Sequence, residues 1–318
     1  MKKILITGAS GFVGTYLAKH LLELGDGEIH GTYLSDNSLE TSPIKDKITF
    51  HKVDLQDKAQ TENLIKEVMP NEVYHLAAMA SVPGSFRDPV GTFHSNVDSE
   101  LFLLESLRTN NLLETKVLVI GSAEEYGYVH AEDLPVDEDT PLRPASPYAV
   151  SKIAQDFLGL QYYRVYKMPI FRVRPFNHVG PGQGTGYVVA DFAKRIAEIE
   201  KDGKPAVMQV GDMTKKRDFT DVRDMVRLYP LILEKGTPGE IYNAGSGKSY
   251  QIQEIMDTFI SLSHVDITLE KDPSKLRPGD IPEIVADSSK VHLATGWKPE
   301  ISLQETLKDT LDYWRRIV

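Results

Sequence analysis

The sequence predicts an α/β fold in which a doubly wound parallel sheet is followed by a smaller C-terminal lobe. The first observation is that short runs rich in Val, Ile and Leu alternate with longer helix-like stretches as far as about residue 180. The second is a glycine-rich segment that follows the first apolar run directly. The third is that after Pro181 the alternation gives way to shorter pieces rich in Gly and Pro. This order of strands and helices is typical of βαβ units with a parallel sheet.

Each predicted strand is an apolar run, which favours a strand buried on both faces of a parallel sheet. The runs are Ile4–Thr7, Ile29–Leu34, Ile48–Val53, Glu72–Ala77, Lys116–Gly121 and Ile170–Pro175. The stretches predicted as helices are Phe12–Leu24, Asp57–Met69, Asn96–Asn110 and Tyr148–Lys167. We therefore expect residues 1–180 to form the sheet domain, with later segments free to return to it. Residues 181–318 are expected to form mainly the second lobe, which would bind the substrate.

The composition limits the classes of partner. The chain has 318 residues and a formal net charge of −10, which argues against nucleic acid or an anionic membrane surface as the main partner. It contains no Cys, so disulfides and thiolate chemistry are excluded. The apolar run at the N-terminus is broken at once by Gly and Ser, and is too short for a signal peptide or a membrane span. We expect a cytoplasmic protein that binds no metal.

The segment TGASGFVG contains the first candidate binding site. Gly8, Gly11 and Gly14 have a G-x-x-G-x-x-G spacing, and Phe12 and Val13 stand between the last two glycines. Glycines here permit a tight turn, close approach of backbone N–H groups to a pyrophosphate, and tight packing of helix on strand. A glycine-rich turn without a ligand shows the same spacing, but the position between the first strand and the first helix favours a Rossmann-type nucleotide site.

Two further strand ends bear on the cofactor. Asp54 and Leu55 follow the third strand, where the carboxylate could reach an adenine amino group. At the end of the second strand, an acid would select NADH and an Arg would select NADPH. The stretch Tyr33–Ser38 has only Asp36, further along, and no Arg. The sequence therefore leaves NADH and NADPH open.

A candidate catalytic set follows the fifth strand. Tyr148 and Lys152 in PYAVSK lie four residues apart and share one face of a helix. An ammonium one turn away favours the phenolate and lowers the tyrosine pKa from about 10. Ser122 stands at the end of the fifth strand, and ligands collect at the carboxyl ends of parallel strands. A Tyr–Lys pair alone is common on helix surfaces, but here all three side chains could converge on one carbonyl oxygen.

Together these features resemble the extended short-chain dehydrogenases/reductases that modify nucleotide sugars, along nearly the whole chain. The motifs that carry the resemblance are TGASGFVG, HLAAMASV, the strand-end Ser122, PYAVSK, RPFNHVGPGQ, RDFTDVRD, YNAGSG and LRPGD. Within this family the chain is most similar to the reductases of GDP-4-keto-6-deoxy-D-mannose, and then to the GDP-mannose 4,6-dehydratases. The resemblance implies reduction of the C4 ketone of that GDP-linked hexose to GDP-D-rhamnose, with NADPH or NADH as the cofactor and no metal. The sequence leaves the configuration at carbon 4 open, so a 6-deoxy-talose product is the alternative.

The resemblance also implies roles for single residues. It places Ala77, Ala78 and Asn96 beside the cofactor, with the last near the nicotinamide. On the substrate side it places Ser85 at the hexose, Asn177 at the diphosphate or sugar, Arg217 and Arg277 at the diphosphate, Asp280 beside them in LRPGD, and Lys194 with Asp191 near the guanine. An Arg guanidinium can hold a diphosphate with two parallel hydrogen bonds.

The segment after the fifth strand discriminates two reactions. A dehydratase must eliminate water, which requires a base and an acid besides the group that handles the C4 oxygen. The family's dehydratases have a Thr, then an Asp or Ser, then a Glu, whereas this chain has Ser122, Ala123 and Glu124. The side chain of Ala123 can neither donate nor accept a proton, which favours the reductase. Glu124 remains a candidate catalytic acid or base, or else a solvated charge in an acidic loop that includes Glu125.

Three other expectations complete the sequence-based interpretation. The same catalytic set would serve an epimerase, which keeps its cofactor bound through a full cycle. A regulator that binds NAD or a nucleotide sugar without turnover would not need the intact Ser, Tyr and Lys. The stretches Asn96–Asn110 and Tyr148–Lys167 carry more apolar residues than one sheet face requires. Together with the habit of the family, this predicts a homodimer through a four-helix contact.

Overall fold

A computed structural model describes residues 1–40, 42–273 and 281–318. The strands are β1 (Lys3–Thr7), β2 (Glu28–Tyr33), β3 (Thr49–Lys52), β4 (Glu72–His75), β5 (Lys116–Ile120), β6 (Ile170–Pro175), β7 (Asn177–Val179), β8 (Ala206–Val210), β9 (Lys216–Asp221), β10 (Ile241–Ala244), β11 (Ser249–Gln251), β12 (Ile267–Lys271) and β13 (Glu283–Ile284). The α-helices are α1 (Phe12–Leu24), α2 (Asp36–Glu40), α3 (Lys58–Val68), α4 (Val82–Arg87), α5 (Pro89–Phe93), α6 (Ser99–Thr109), α7 (Pro147–Tyr166), α8 (Val188–Asp202), α9 (Val222–Lys235), α10 (Ile252–Leu262), α11 (Ser289–Thr295) and α12 (Leu303–Ile317). A π-helical turn, His94–Asp98, joins α5 to α6.

The largest sheet has seven parallel strands in the order β10-β6-β5-β4-β1-β2-β3. The predicted doubly wound fold is thereby confirmed, and each predicted strand and helix of residues 1–180 has its counterpart with small shifts at the ends. The chain winds one way from β1 to β3 and the other way from β4 onward. The reversal lies between β1 and β4, where a crevice opens at the carboxyl ends of the strands.

Helices cover both faces of this sheet. On one face, α1, α9 and α11 build an apolar core that includes Leu17, Tyr229 and Trp297. On the other face, α3, α6 and α7 pack over a second core that includes Leu103 and Val119. Strands buried on both faces need apolar side chains pointing in both directions, which explains their unbroken apolar runs.

The second lobe consists of smaller sheets and three helices. Strands β7, β9, β11 and β13 form one sheet, and β8 pairs with β12. Helices α8, α10 and α12 bury the apolar core of the lobe, with Phe192, Phe259 and Trp314 among its side chains.

The chain after residue 180 serves both parts of the molecule. Strand β10 extends the large sheet beside β6, and α9 packs on α1, whereas α8 and α12 pack on one another in the lobe. The division predicted after residue 180 stays a prediction. Within the described residues, no helix combines the length and apolarity needed to cross a membrane.

Candidate active site

A cleft of about 1520 Å³ runs between the carboxyl ends of the large sheet and the second lobe. Its wall combines the glycine loop, the strand ends of β4, β5 and β6, the start of α7, and residues of α8 and β8 from the lobe. Most of the predicted residues line it: Gly8, Gly11, Phe12, Val13, Gly14, Asp54, Leu55, Ala77, Ala78, Ser122, Glu124, Tyr148, Lys152, Asn177 and Arg217. A concave site of this size at the switch point of a parallel sheet can hold an extended dinucleotide together with a second ligand.

The glycine loop forms the nucleotide end of the cleft. Gly8 has a φ of +69°, which favours glycine, and a Cβ there would lie 3.1 Å from the backbone of Ala77. A Cβ on Gly14 would collide with the carbonyl oxygen of Gly8, so the first turn of α1 packs directly on the loop. Gly11 caps α1 without any side-chain hydrogen bond. The first N–H groups of α1 therefore point into the cleft free of a side-chain cap, as a pyrophosphate requires.

At the end of β2 the cleft carries hydroxyl groups. Ser10 and Ser38 lie 3.0 Å apart through their Oγ atoms, and Ser35 lines the same wall. The Asp36 carboxylate accepts a 2.6 Å hydrogen bond from Lys52 on β3. Among the described residues, no Arg and no unpaired acid lines this wall. The wall therefore suits a ribose with a free 2′-hydroxyl, as in NADH, or one with a 2′-phosphate, as in NADPH.

The Ser, Tyr and Lys side chains converge at the other end of the cleft. Ser122 caps a short 3-10 turn directly after β5, and its hydroxyl accepts from the N–H of Glu124 at 3.2 Å. Tyr148 is the second residue of α7, directly after Pro147, and faces the Ser122 hydroxyl. One turn later, Lys152 donates through Nζ to the Ile120 carbonyl at 2.9 Å.

Burial controls the protonation of these groups. Desolvation raises the pKa of the Tyr148 phenol, and the hydrogen bond with Ser122 opposes this shift. Desolvation lowers the pKa of Lys152 to about 8, while the carboxyls of Glu100 and Glu125 act in the opposite direction. A buried tyrosine that keeps its proton beside an ammonium is suited to donate that proton to a developing oxyanion.

Beneath Ser122 lies a cluster of buried charges that we call the buried ion cluster. The Glu125 carboxylate accepts from the Ser122 N–H at 2.8 Å and pairs with Arg174 at 2.8 Å. Arg174 also pairs with Asp156 of α7, and Arg172 binds the other oxygen of Asp156. This arrangement ties the end of β5 to β6 and α7.

Glu125 belongs to the acidic loop in the sequence, yet it is fully buried in the fold. The sequence did contain a signal for it, since Ser122 and Glu125 have the S-x-x-E spacing of a capping box. Glu124, by contrast, is half-buried and lines the cleft.

Three of the predicted ligand residues are not brought to the cleft wall. Ser85 is fully buried and donates to the Val82 carbonyl at 2.7 Å. The Lys194 ammonium lies 5.6 Å from the centre of the Trp314 ring, on the lobe side of α8. Its neighbour Arg195 lines the cleft instead. The side of a helix that faces a ligand depends on how the helix packs, and a short motif does not determine that.

Asn96, the third, lies one layer behind the wall. Its amide oxygen accepts from the Met79 N–H at 2.8 Å, and its amide nitrogen donates to Ser151 Oγ at 2.9 Å. It therefore connects the loop after β4 to the turn of α7 that carries Lys152. It stands in the π-helical turn, a type of distortion that is frequent at functional sites.

The predicted substrate residues of the lobe lie in different surroundings. The Asn177 amide reaches the Asp218 carbonyl at 3.3 Å, and Arg217 donates to the Ile281 carbonyl at 2.8 Å, both at the cleft wall. Asp191 accepts from the Gly186 N–H at 2.8 Å and so fixes the turn before α8. Arg277 and Asp280 lie outside the described residues. Across the described part of the chain, no cluster of three or more His, Asp or Glu side chains is placed to hold a metal ion.

The fold and the site define a dinucleotide-dependent oxidoreductase of the short-chain dehydrogenase/reductase class. A family model described as GDP-mannose 4,6 dehydratase matches residues 5–310. The GDP-6-deoxy-D-mannose reductase of Pseudomonas aeruginosa is 32% identical over 98% of this chain and 97% of its own length. A GDP-mannose 4,6-dehydratase of Yersinia enterocolitica is 31% identical over 96% of this chain and 91% of its own.

Solved structures agree with these relatives. The structure of RMD from Pseudomonas aeruginosa complexed with NADPH has a TM-score of 0.87 and 32% identity, with 100% of both chains covered. A UDP-glucose 4-epimerase of Thermus thermophilus in complex with NAD also has a TM-score of 0.87, at 30% identity over 99% of this chain and 100% of its own. The chain belongs to the GDP-mannose 4,6-dehydratase family, among the extended short-chain dehydrogenases/reductases that modify nucleotide sugars.

Proposed function

We propose that the protein reduces the C4 ketone of GDP-4-keto-6-deoxy-D-mannose to GDP-D-rhamnose, with NADPH or NADH as the reductant. The observation that carries this proposal is the segment after β5, where Ser122 faces Tyr148 and the next residue is Ala123. The relative named GDP-6-deoxy-D-mannose reductase, similar over nearly the whole chain, supports the same choice.

The glycine loop and the walls at Asp54, Leu55, Ala77 and Ala78 are proposed to hold the dinucleotide. When bound, the reduced nicotinamide supplies the hydride that reduces carbon 4. The N–H groups at the start of α1 stabilise the charge of the pyrophosphate. Asn96 holds the loop after β4 in place and does not touch the ligand itself.

Tyr148 is the proposed proton donor. As charge develops on the C4 oxygen, the phenol gives its proton to that oxygen, and the phenolate that remains is stabilised by the Lys152 ammonium. Ser122 donates a hydrogen bond to the same oxygen and fixes its direction. The buried carboxylate of Glu125 holds the Ser122 backbone, and so keeps this hydroxyl at the end of β5.

Asn177 and Arg217 are proposed to contact the diphosphate side of the substrate, because both line the cleft where the lobe meets the sheet. The same proposal covers Arg277 and Asp280. The structure gives no support to direct contacts from Ser85 or Lys194, and Arg195 is the cation of α8 that faces the cleft.

The second candidate function is a GDP-mannose 4,6-dehydratase, because Glu124 lines the cleft. Elimination needs one group to take the C5 proton and another to protonate the leaving hydroxyl. Ala123 is nearly buried and carries no proton-transfer group. Ser122 and Tyr148 are sufficient for the reduction. Glu124 supplies one of the two proton-transfer groups that elimination needs, and Ala123 does not supply the other.

The deciding experiment compares two substrates. The protein is incubated with GDP-4-keto-6-deoxy-D-mannose and NADPH, or NADH, and in parallel with GDP-mannose. We expect oxidation of the reduced cofactor only with the keto sugar. Formation of a keto sugar from GDP-mannose would instead establish the dehydratase.

A homodimer is part of the proposal. Of the two helices predicted to pair, α7 carries exposed apolar side chains, with Val150 43% and Phe157 52% exposed, and Phe93 on α5, shortly before α6, is 37% exposed. Apolar patches of this kind are typical of protein–protein interfaces. Light scattering is expected to give the mass of a dimer, and a mass near 35.6 kDa would reject it. The cytoplasmic location stays a prediction.

A further inference from the structure

One buried hydroxyl of the cleft wall has no role in the reaction described so far. Tyr229 lies on α9 and is fully buried, and its Oη atom has no hydrogen-bond partner among the described residues. A buried hydroxyl without a partner is costly, and native structures retain few of them. At the wall of a binding cleft, such a group is explained when the ligand supplies the partner.

Tyr229 differs in this respect from the rest of the cleft wall. Of the buried side-chain atoms that lack a partner in the described part of the chain, two belong to residues of the wall, Tyr229 Oη and Gln183 Oε1. The amide nitrogen of Gln183 already donates to the His178 carbonyl at 3.1 Å. The hydroxyl is the only polar group of the Tyr229 side chain, so its capacity for hydrogen bonds is wholly unused.

The course of α9 shows where this hydroxyl points. The carbonyl of Leu233, near the end of α9, accepts a 2.7 Å hydrogen bond from Lys116 at the start of β5. At the other end of the helix, a Cβ on Gly180, directly after β7, would lie 2.8 Å from Val222. The N-terminus of α9 therefore lies at the carboxyl edge of the large sheet. Long side chains of a helix point back toward its N-terminus, which directs the Tyr229 ring to the cleft.

Tyr229 reaches the cleft at its reaction end. Of the residues of α9, all of which the structure describes, only Tyr229 lines the cleft. Helix α9 packs on β5 and β6, and β5 leads into Ser122. The titratable group that interacts with the Tyr229 hydroxyl is the phenol of Tyr148. Burial raises the pKa of Tyr229, so the hydroxyl keeps its proton and can donate a hydrogen bond.

The chemistry of the cofactor fits this hydroxyl. Tyr229 belongs to the apolar core between α1, α9 and the large sheet, and not to the core of the lobe. The ligand expected on that side of the cleft is the dinucleotide, with its pyrophosphate at the N-terminus of α1. At the reaction end, the nicotinamide ring carries a carboxamide, which offers a carbonyl acceptor and an N–H₂ donor. A tyrosine hydroxyl can pair with either of them.

We propose that Tyr229 is a cofactor-binding residue, whose buried hydroxyl forms a hydrogen bond with the carboxamide of the nicotinamide. The proposal rests on the proposed binding of NADPH or NADH in the cleft, and not on the identity of the sugar. By holding the carboxamide, Tyr229 fixes the rotation of the ring about its glycosidic bond, and so the face that the ring presents to Ser122 and Tyr148. Tyr229 exchanges no proton with the substrate.

The first test measures binding alone, without a sugar substrate. The full-length protein and Tyr229→Phe are titrated by calorimetry with NADPH and NADH, and with ADP-ribose and its 2′-phosphate, which lack the nicotinamide. For the two nicotinamide cofactors we expect Kd to rise about three- to tenfold in Tyr229→Phe, which corresponds to the loss of one hydrogen bond. For the two compounds without the ring we expect no change. A purely structural role of the hydroxyl would change all four Kd values alike.

Tyr74→Phe is the matched control. Tyr74 belongs to the same apolar core and is equally buried, but it is not part of the cleft wall. Loss of its hydroxyl is therefore expected to leave all four Kd values at their wild-type level.

Thermal unfolding of the free protein is the second test. Tyr229→Phe removes a buried hydroxyl that has no partner, so no hydrogen bond is lost. Its Tm is therefore expected to equal or exceed that of the wild type. A lower Tm with unchanged cofactor affinity overturns the inference, because the hydroxyl then has a partner inside the free protein.

The titrations contain the other outcomes that overturn the inference. These are equal Kd values of NADPH and NADH for the wild type and Tyr229→Phe, or a loss of affinity that extends to ADP-ribose and its 2′-phosphate. If Tyr229→Phe weakens the binding of GDP-mannose and not that of the cofactors, the hydroxyl belongs to the sugar side and the inference fails. If the protein binds NADPH or NADH but does not reduce the keto sugar, the proposed function fails while the titrations still decide the role of Tyr229.

Discussion

The two ends of the cleft are built on different physical principles. The nucleotide end is made of backbone: Gly8 and Gly14 lack side chains so that a loop, a strand and a helix can approach within contact distance. The reaction end is made of side chains that are buried with their charges, from Ser122 at the surface of the cleft down to Arg174 and Asp156.

This difference determines how each end tolerates change. A backbone site has little space, so adding a single methyl group displaces main-chain atoms. In a buried charge site, each ion is paired with an ion of opposite charge. Removing one member therefore leaves its partner unpaired in a medium of low polarity. The four predictions below test this comparison, from the largest expected effect to the smallest.

Tyr148→Phe tests the reaction end directly. Loss of the phenolic proton is expected to lower kcat for reduction of the keto sugar by about 100-fold or more, because a general acid contributes at least that factor. Steady-state cofactor oxidation at saturating substrate measures it. Tyr166→Phe, at the far end of the same helix, is the control and should react at the wild-type rate. Near-wild-type turnover in Tyr148→Phe would remove Tyr148 from the mechanism.

Arg174→Met tests the buried ion cluster. It leaves the buried carboxylates of Glu125 and Asp156 without this partner, and is expected to lower the free energy of unfolding by about 3–5 kcal/mol. The matched control is Arg195→Met, since Arg195 is exposed and pairs with Glu198 at 3.4 Å. Arg195→Met should lower the free energy of unfolding by less than about 1 kcal/mol. Equal losses in urea denaturation would contradict the comparison.

Gly14→Ala tests the nucleotide end. The added methyl would collide with Gly8 and Ala9, and the expected cost of about 1–3 kcal/mol exceeds the gain of about 1 kcal/mol in helix propensity. Cofactor affinity, followed by the fluorescence of the reduced nicotinamide, is expected to fall with stability. Gly184→Ala is the control, because no atom lies within 4 Å of a Cβ there. Unaltered affinity in Gly14→Ala would argue against close packing of this loop.

The pH dependence is the smallest effect. Lys152 acts in its protonated form, and its pKa is lowered by burial to about 8. The active form is therefore complete below this value and is lost as the pH rises through it. We expect kcat/KM to fall about tenfold for each pH unit above about 8, which corresponds to about 1.4 kcal/mol per unit. A profile that stays flat well above that pH would show that Lys152 keeps its proton.

The order of elements and the position of the glycine loop could be predicted from sequence because both are local. Apolar runs report burial on both sheet faces, and a glycine spacing between strand and helix reports a tight turn. The residues that contact the substrate and the nicotinamide were harder to predict. Ser85, Lys194 and Asn96 matched motif positions, yet packing turns the first two away from the cleft and places Asn96 behind its wall.

By itself, the sequence determined the doubly wound sheet, the convergence of Ser122, Tyr148 and Lys152 at the strand ends, and the alanine beside Ser122 that favours reduction. Only the tertiary structure decided which acidic side chains are buried and which cations they pair with. Glu125 is one of several acids in a charged loop of the sequence, but long-range packing buries it against Arg174. The charge state of a group depends on what surrounds it in space, and residues far apart in the chain supply those surroundings.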